Sequence, residues 1–205
     1  MKYKNLTISQ KGLSLIESAM VLAISAVIVS GVLYYYNHAQ ENRKLEEGIK
    51  QIQTIAASVN KLYTNSATSL NGISGNNNIN KVVEAISAIS GISTKEEPGG
   101  AKVFTTPSGQ WVQLWVEQGS PINTYQLETQ VQSVSSCISY ATLNMGTIMA
   151  AKTKVLTENT DHVNNGASNS STNFSLSPSV ASNACERAEK TKNGNNIKIR
   201  YTLTY

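Results

Sequence analysis

The sequence predicts an α+β protein: one long N-terminal α-helix, an apolar half plus an amphipathic half, packed on an antiparallel β-sheet head with short helices. A nearly uncharged apolar stretch at residues 12–36 continues into a segment with apolar residues every three to four positions. The second pattern is that of a helix with one buried face. Farther along, short runs with period-two alternation are separated by turn residues, which indicates β-strands.

The apolar half of the predicted helix begins at Leu13 and has 24 residues, one charged side chain and no proline. At 1.5 Å per residue it is about 36 Å long, which is enough to cross a hydrocarbon core of about 30 Å. Three tyrosines at residues 34–36 stand where aromatic rings favour a membrane boundary. A carboxylate deep in a bilayer costs about 2.5–3.5 kcal/mol, so the single acid, Glu17, implies a partner.

Three interpretations of this stretch compete. A secretory signal peptide would explain Lys2, Lys4 and Lys11, but the apolar part is too long and no A-x-A cleavage site follows it. A plain single-pass membrane anchor leaves Glu17 unexplained. In the third interpretation, the segment exchanges lipid for the interior of a protein assembly, where Glu17 meets a cation.

Residues 11–27, KGLSLIESAMVLAISAV, resemble the processing site and assembly helix of type IV prepilins. The resemblance implies that a prepilin peptidase cuts after Gly12 and that the new N-terminal residue, Leu13, is N-methylated. It also implies that Glu17 neutralises the amino terminus of a neighbouring subunit, because either charge alone is costly in an apolar core. Many members of that family have a proline within this helix, and this sequence has none.

The resemblance divides the chain into a leader peptide at 1–12, an assembly and spine helix at 13–63 that spans the membrane over about 13–36, and a globular pilin head at 64–205. It implies an inner-membrane stage followed by an extracellular pilus on a Gram-negative bacterium. The implied partners are further copies of the chain in a helical homopolymer, the prepilin peptidase, the pilus assembly machinery, and host or bacterial surfaces.

The head resembles the type IVb pilins of enteric bacteria, and bundle-forming pilins in particular. The resemblance rests on residues 136–147, SCISYATLNMGT, and on a later proline-started helix with a second cysteine before a terminal strand. An even number of cysteines in an exported chain favours a disulfide between Cys137 and Cys185, because the periplasm is oxidising. The alternative is two unrelated buried thiols.

The charge balance excludes nucleic acid as an expected partner. The formal net charge is +4, and without the three leader lysines 14 basic residues face 13 acidic ones, which leaves +1. No basic patch remains that would bind a phosphate backbone.

The second half of the helix and the head contain the remaining elements. Apolar residues of the helix recur at steps of three and four: Leu45, Ile49, Ile52, Ile55 or Ala56, Val59 and Leu62. Gly48 weakens this helix by about 1 kcal/mol without ending it. For the head we predict a short helix with Val82, Val83, Ile86 and Ile89, a hairpin over 101–118, a strand over 125–131, a helix over 133–146, a loop over 158–175, a helix from Ser177 and Pro178, and a half-buried strand over 197–205. Residues 147–156 are ambiguous between strand and helix.

The pair Trp111 and Trp115 lies on one face of a predicted strand, and core packing is favoured over a ligand platform. No catalytic or metal site is expected, because His38 and His162 lie in polar segments and Asp161 is merely adjacent in sequence. We therefore expect a structural pilus subunit without cofactor or enzymatic activity. The alternatives are a type II secretion pseudopilin, a minor pilin, and a membrane-anchored enzyme or receptor.

Overall fold

The computed structural model describes residues 14–66, 69–70, 73–116, 123–163 and 174–205. The helices are α1 (Leu15–Tyr63), α2 (Asn76–Ser90), α3 (Val134–Ala141) and α4 (Pro178–Thr191), with a 3₁₀ turn at Gly146–Ile148. The strands are β1 (Thr94–Glu96), β2 (Lys102–Thr105), β3 (Trp111–Trp115), β4 (Thr124–Val131), β5 (Met149–Thr157), β6 (Thr160–Asp161) and β7 (Ile197–Thr204). The predicted α+β class is confirmed. The chain divides into two compact units, Met1–Asn42 and Arg43–Tyr205.

All seven strands belong to one antiparallel sheet with the order β1-β2-β3-β4-β7-β5-β6. The last strand in the chain, β7, therefore lies inside the sheet and pairs with β4 along its whole length. Its side chains alternate as predicted, with Ile197, Ile199, Tyr201 and Leu203 fully buried. The ambiguous segment before residue 157 is strand β5, because it supplies the partner for the other edge of β7.

The hydrophobic core lies between the sheet and the helices of the second unit. From α1, Ile52, Ile55, Ala56 and Val59 are at most 1% exposed, which confirms the predicted buried face. Helix α2 packs on β1, β2 and β3, while α3 and α4 pack on β5 and β7. Because α1, α2, α3 and α4 all contribute buried residues to one cluster with the sheet, the second unit has a core of its own.

Three local features differ from the prediction. Helix α3 ends at Ala141 and not at Gly146, because Thr142 caps it and Gly146 begins the 3₁₀ turn with a φ of 67°. Strands β1 and β6 were not predicted. Each has only two or three residues and lies at an edge of the sheet, where one neighbour is enough to order it and alternation is too short to detect.

Gly48 has a packing role that is not apparent from the low helix propensity of glycine. It is buried in α1, and a Cβ atom placed there would collide with the hydroxyl of Tyr140 in α3, whereas the next ring atom, Cζ, would lie 3.4 Å away. Tyr140 is only 4% exposed, so its ring has little room to move. The glycine therefore allows the spine helix and α3 to approach each other.

We expect Gly48→Ala to lower the free energy of unfolding by up to about 2 kcal/mol, because an overpacking cost of about 1–3 kcal/mol is only partly offset by about 1 kcal/mol of gained helix propensity. Tyr140→Phe removes the colliding atom, so Gly48→Ala in that background should be neutral or stabilising. Urea unfolding of the four chains of this cycle measures the coupling. Additive effects of the two substitutions would contradict the close approach.

Candidate assembly surfaces

The first candidate surface is the apolar half of α1. Large apolar side chains exposed to solvent are concentrated there, and Ile89 is the one exposed large apolar residue elsewhere in the described chain. The exposed residues are Leu15, Ile16, Met20, Val21, Leu22, Ile24, Val27, Ile28, Val29, Val32, Leu33, Tyr34, Tyr35 and Tyr36. By length and composition alone, this helix is able to cross a membrane. So much contiguous apolar surface marks a membrane or protein contact.

The hydroxyls of Ser18, Ser25 and Ser30 in this apolar half bond to backbone carbonyls of the same helix. Ser18 Oγ donates to the Ser14 carbonyl at 3.3 Å, Ser25 Oγ to the Val21 carbonyl at 2.7 Å, and Ser30 Oγ to the Val27 carbonyl at 2.9 Å. A hydroxyl that bonds its own helix needs no water. These serines therefore do not prevent the segment from entering an apolar environment.

Glu17 forms a reciprocal capping box with Ser14 at the start of α1. The Ser14 N–H donates to Glu17 Oε2 at 2.8 Å, and the Glu17 N–H donates to Ser14 Oγ at 3.3 Å. The box begins the helix at Leu15, two residues later than predicted, and folds the carboxylate back toward the N-terminal end. Gly12 and Leu13 lie outside the described residues. Ser14 was missed, although the S-x-x-E pattern before an apolar run signals such a cap.

Cys137 of α3 and Cys185 of α4 form a disulfide with a Cα–Cα distance of 5.9 Å. Both residues are fully buried, and the bond joins two helices that cover the β5 and β7 side of the sheet. It closes a loop of 48 residues that includes β5, β6 and the first half of α4. The region between the cysteines is therefore fixed at both of its ends.

Trp111 and Trp115 are not core residues, so the favoured core interpretation is wrong. They are half-buried on the sheet face opposite the core, where β7 supplies cations. The Arg200 guanidinium lies 4.4 Å from the Trp115 ring centroid, and Lys198 Nζ lies 5.7 Å from that of Trp111. Because a cation already covers each ring, this arrangement also argues against a stacking platform for a ligand.

Glu128 of β4 holds these cations in place. Its side chain is 5% exposed and its Oε2 accepts from Arg200 Nε at 2.8 Å and from an Arg200 terminal nitrogen at 2.6 Å. Lys198 Nζ lies 3.4 Å from its Oε1. The alternation along β7 predicts that Lys198 and Arg200 point away from the core. Only the pairing register of β4 with β7 brings Glu128 between these two cations.

His162 is held against α4 and is not simply solvated. Arg187 donates to its backbone carbonyl, and its Nε2 lies 3.3 Å from Thr191 Oγ1. Thr191 also donates its hydroxyl to the Arg187 carbonyl at 2.9 Å, so the His162 ring is tied to the last turn of α4. Partial burial and the Arg187 guanidinium lower the pKa of His162 below its ordinary value of 6.5, and Asp161 opposes this shift.

We expect this histidine to make the protein less stable in mild acid. A folded-state pKa below the unfolded value of 6.5 means that the contribution is present above pH 6.5 and is lost as pH falls toward the folded value. Thermal unfolding midpoints measured at pH 7.5 and pH 5 should therefore differ more for the wild type than for His162→Gln. Equal pH dependence of the two proteins would contradict the assignment.

Comparison with known proteins agrees with this architecture. A family model described as Bundlin matches residues 37–204. The chain belongs to the bundlin family. It is 30% identical over 186 residues to the "Major structural subunit of bundle-forming pilus" of Escherichia coli O111:H-, covering 89% of this chain and 91% of that protein. It is 28% identical over 184 residues to the protein of the same description from Escherichia coli O127:H6, again with 89% and 91% coverage.

The fold of this bundlin-family chain is that of a type IVb pilin. The crystal structure of a type IVb pilin from Salmonella typhi superposes with a TM-score of 0.51 at 14% identity, covering 77% of this chain and 98% of that chain. The predicted resemblance to type IVb pilins is thereby confirmed. Pilus subunits form extracellular filaments, and these matches support a pilus subunit and not a type II secretion pseudopilin.

Proposed function

We propose that this bundlin-family chain is a prepilin that polymerises into a surface filament on a Gram-negative bacterium. A single observation carries the proposal: the second unit has a closed core, while the apolar half of α1 exposes nearly all its large side chains. A surface of this kind needs lipid before assembly and other helices afterwards. Because lipid and a helix bundle are both apolar, transfer of the helix from one to the other gains little free energy by itself. Helix packing and polar pairs therefore determine the preference for the filament.

Processing is the first step of the proposal. A prepilin peptidase removes residues 1–12 by cutting after Gly12, and Leu13 becomes the N-methylated amino terminus. The spine helix at 13–63 then holds the chain in the inner membrane over about 13–36, with the head at 64–205 outside. Mass spectrometry of the mature protein should find methylated Leu13 at the terminus. A chain recovered with Lys2, Lys4 and Lys11 intact would contradict this step.

Glu17 is the proposed assembly residue. Its carboxylate already points toward the N-terminal end of α1 through the capping box, so one oxygen remains for a neighbouring subunit's amine. Pairing the two charges in the filament core relieves both desolvation costs and specifies the register of neighbouring helices.

We expect Glu17→Ala to be exported and cleaved, yet to yield at least tenfold fewer filaments, since a loss of about 1.4 kcal/mol per contact is already a factor of ten. Glu17→Gln separates the charge from the cap, because glutamine retains an acceptor for the Ser14 N–H. Both variants should form few filaments if charge pairing drives assembly. Normal filaments from Glu17→Gln, counted by electron microscopy of sheared cells, would leave only the capping role.

The assembly machinery of the pilus, and host or bacterial surfaces, are the further proposed partners. A minor, tip-located pilin is the second candidate. The relatives' description as major structural subunits favours the first candidate, and abundance in sheared filaments distinguishes the two. The family consists of structural subunits, so we propose no enzymatic activity, cofactor, metal or nucleic-acid partner.

A further inference from the structure

Ser14 determines where the first turn of α1 begins. Its carbonyl accepts the earliest intrahelical hydrogen bond of the described chain, from the Ser18 N–H at 3.1 Å. Its Oγ accepts from the Glu17 N–H at 3.3 Å, and its own N–H donates to Glu17 Oε2 at 2.8 Å. Ser14 therefore occupies the N-cap position, and Leu15 is the first helical residue.

The bond to Ser14 Oγ occupies a donor that would otherwise lengthen the helix. In an α-helix each N–H donates to the carbonyl four residues before it. The Glu17 N–H would therefore bond the Leu13 carbonyl if the helix began one residue earlier. The Ile16 N–H would bond the Gly12 carbonyl if it began two residues earlier. Because N–H groups without an acceptor are costly in an apolar environment, an uncapped helix gains free energy by extending in this direction.

The Gly12 carbonyl is the group that the proposed cleavage attacks. Hydrolysis adds the oxygen of water to its carbon, breaks the bond to the Leu13 nitrogen and leaves a proton on that nitrogen. A carbonyl inside a helix already accepts a hydrogen bond and is surrounded by the first turn. This restricts the approach of a catalytic water and of the donors that stabilise the negative oxygen in the transition state. A helix that began two residues earlier would therefore protect the bond from hydrolysis.

We propose that Ser14 is a positioning residue for the prepilin peptidase, because by capping α1 it keeps the Gly12–Leu13 bond outside the helix and open to hydrolysis. The inference deepens the proposed function and rests on the proposed cut after Gly12. It assigns the two partners of the capping box to different steps. Ser14 acts at cleavage, whereas Glu17 acts afterwards, when the subunit polymerises.

The two halves of the capping box are not equivalent for the start of the helix. Glu17→Ala removes the acceptor of the Ser14 N–H, but residue 17 retains its own N–H, which still bonds Ser14 Oγ. Ser14→Ala removes that oxygen and releases the Glu17 N–H to the Leu13 carbonyl. Loss of Ser14, and not loss of Glu17, should therefore lengthen the helix toward the cleavage site. This difference agrees with the expectation that Glu17→Ala is still cleaved.

Cleavage rates of the full-length precursor in membranes that contain the prepilin peptidase test the proposal. Ser14→Ala should be cleaved about fivefold more slowly, which corresponds to about 1 kcal/mol, the typical cost of losing an N-cap serine, at 1.4 kcal/mol per tenfold change. Ser14→Asn should be cleaved at the wild-type rate, because asparagine caps helices as well as serine does. Ser25→Ala is the matched control, since its hydroxyl bonds the Val21 carbonyl of the same helix, away from the cleavage site. Membrane fractionation confirms that the variants insert equally.

One carbonyl signal provides a direct readout of the helix start. Gly12–Leu13 is the one Gly-Leu pair in the sequence. Labelling glycine with ¹³C at its carbonyl and leucine with ¹⁵N therefore isolates the scissile peptide in NMR spectra of the uncut precursor in detergent micelles. Ser14→Ala should shift the Gly12 carbonyl signal toward helical values, whereas Ser14→Asn should leave it unchanged.

Equal cleavage rates of the wild type and Ser14→Ala would overturn the proposal. Slow cleavage of both Ser14→Ala and Ser14→Asn with an unshifted Gly12 carbonyl would also overturn it, because the peptidase would then recognise the serine hydroxyl itself. An unaltered precursor that is not cut after Gly12 would instead contradict the proposed function.

Discussion

Replacing both Cys137 and Cys185 by alanine is expected to lower the free energy of unfolding by about 4 kcal/mol. The disulfide closes a loop of 48 residues, and in the chain-entropy model opening a loop of that length returns about this much conformational freedom to the unfolded chain. Both sulfurs are fully buried, so a smaller cavity cost adds to the loss. Urea unfolding of the full chain in mild detergent, followed by tryptophan fluorescence, measures the change.

Reduction separates the cross-link from the packing of the sulfurs. Wild-type protein unfolded in the presence of a reducing agent should lose most of the same stability, while the alanine variant should be indifferent to the agent. An alanine variant that unfolds at the wild-type urea concentration would show that α3 and α4 hold together without the bond. In cells, the variant should accumulate less, because a loss of this size is a large fraction of the stability of a typical domain.

Removing the charge of Glu128 is the second substitution with a large expected effect. Glu128→Gln should lower the free energy of unfolding by about 3 kcal/mol, because it leaves Arg200 and Lys198 on the sheet without their counter-charge. This loss is at the low end of the range for breaking a buried ion pair, because the Arg200 and Lys198 side chains are 20% and 31% exposed. Urea unfolding measures the loss, and the quantum yield of Trp115 should change as Arg200 leaves its ring.

An exposed ion pair provides the matched control for Glu128. Glu84 pairs with Lys102 at the surface, with side-chain exposures of 54% and 31%. Glu84→Gln should therefore change stability far less than Glu128→Gln, because solvent already screens that pair. Equal effects of Glu84→Gln and Glu128→Gln would contradict the view that burial determines the value of the sheet pair. The double variant Glu128→Gln, Arg200→Gln should lose less than the sum of its single changes.

Much of this protein was predictable from local pattern. The composition of the first half of α1 indicates a segment suited to lipid, and spacing by three and four indicates the buried face of the second half. Alternation along 197–205 determined β7 and its inward residues, and Pro178 after Ser177 marked the start of α4. In each case neighbouring residues carry the signal, because helices and strands repeat over a few positions.

The remaining features depend on contacts between residues far apart in the chain. Trp111 and Trp115 are large and apolar in composition, yet the register of three strands places them under cations on the open face. The packing role of Gly48 depends on Tyr140, which is 92 positions away in the chain. The ion pair of Glu128 depends on Arg200, which is 72 positions away. Neither spacing nor propensity encodes such pairs, because only the folded sheet and the helices upon it determine which side chains meet.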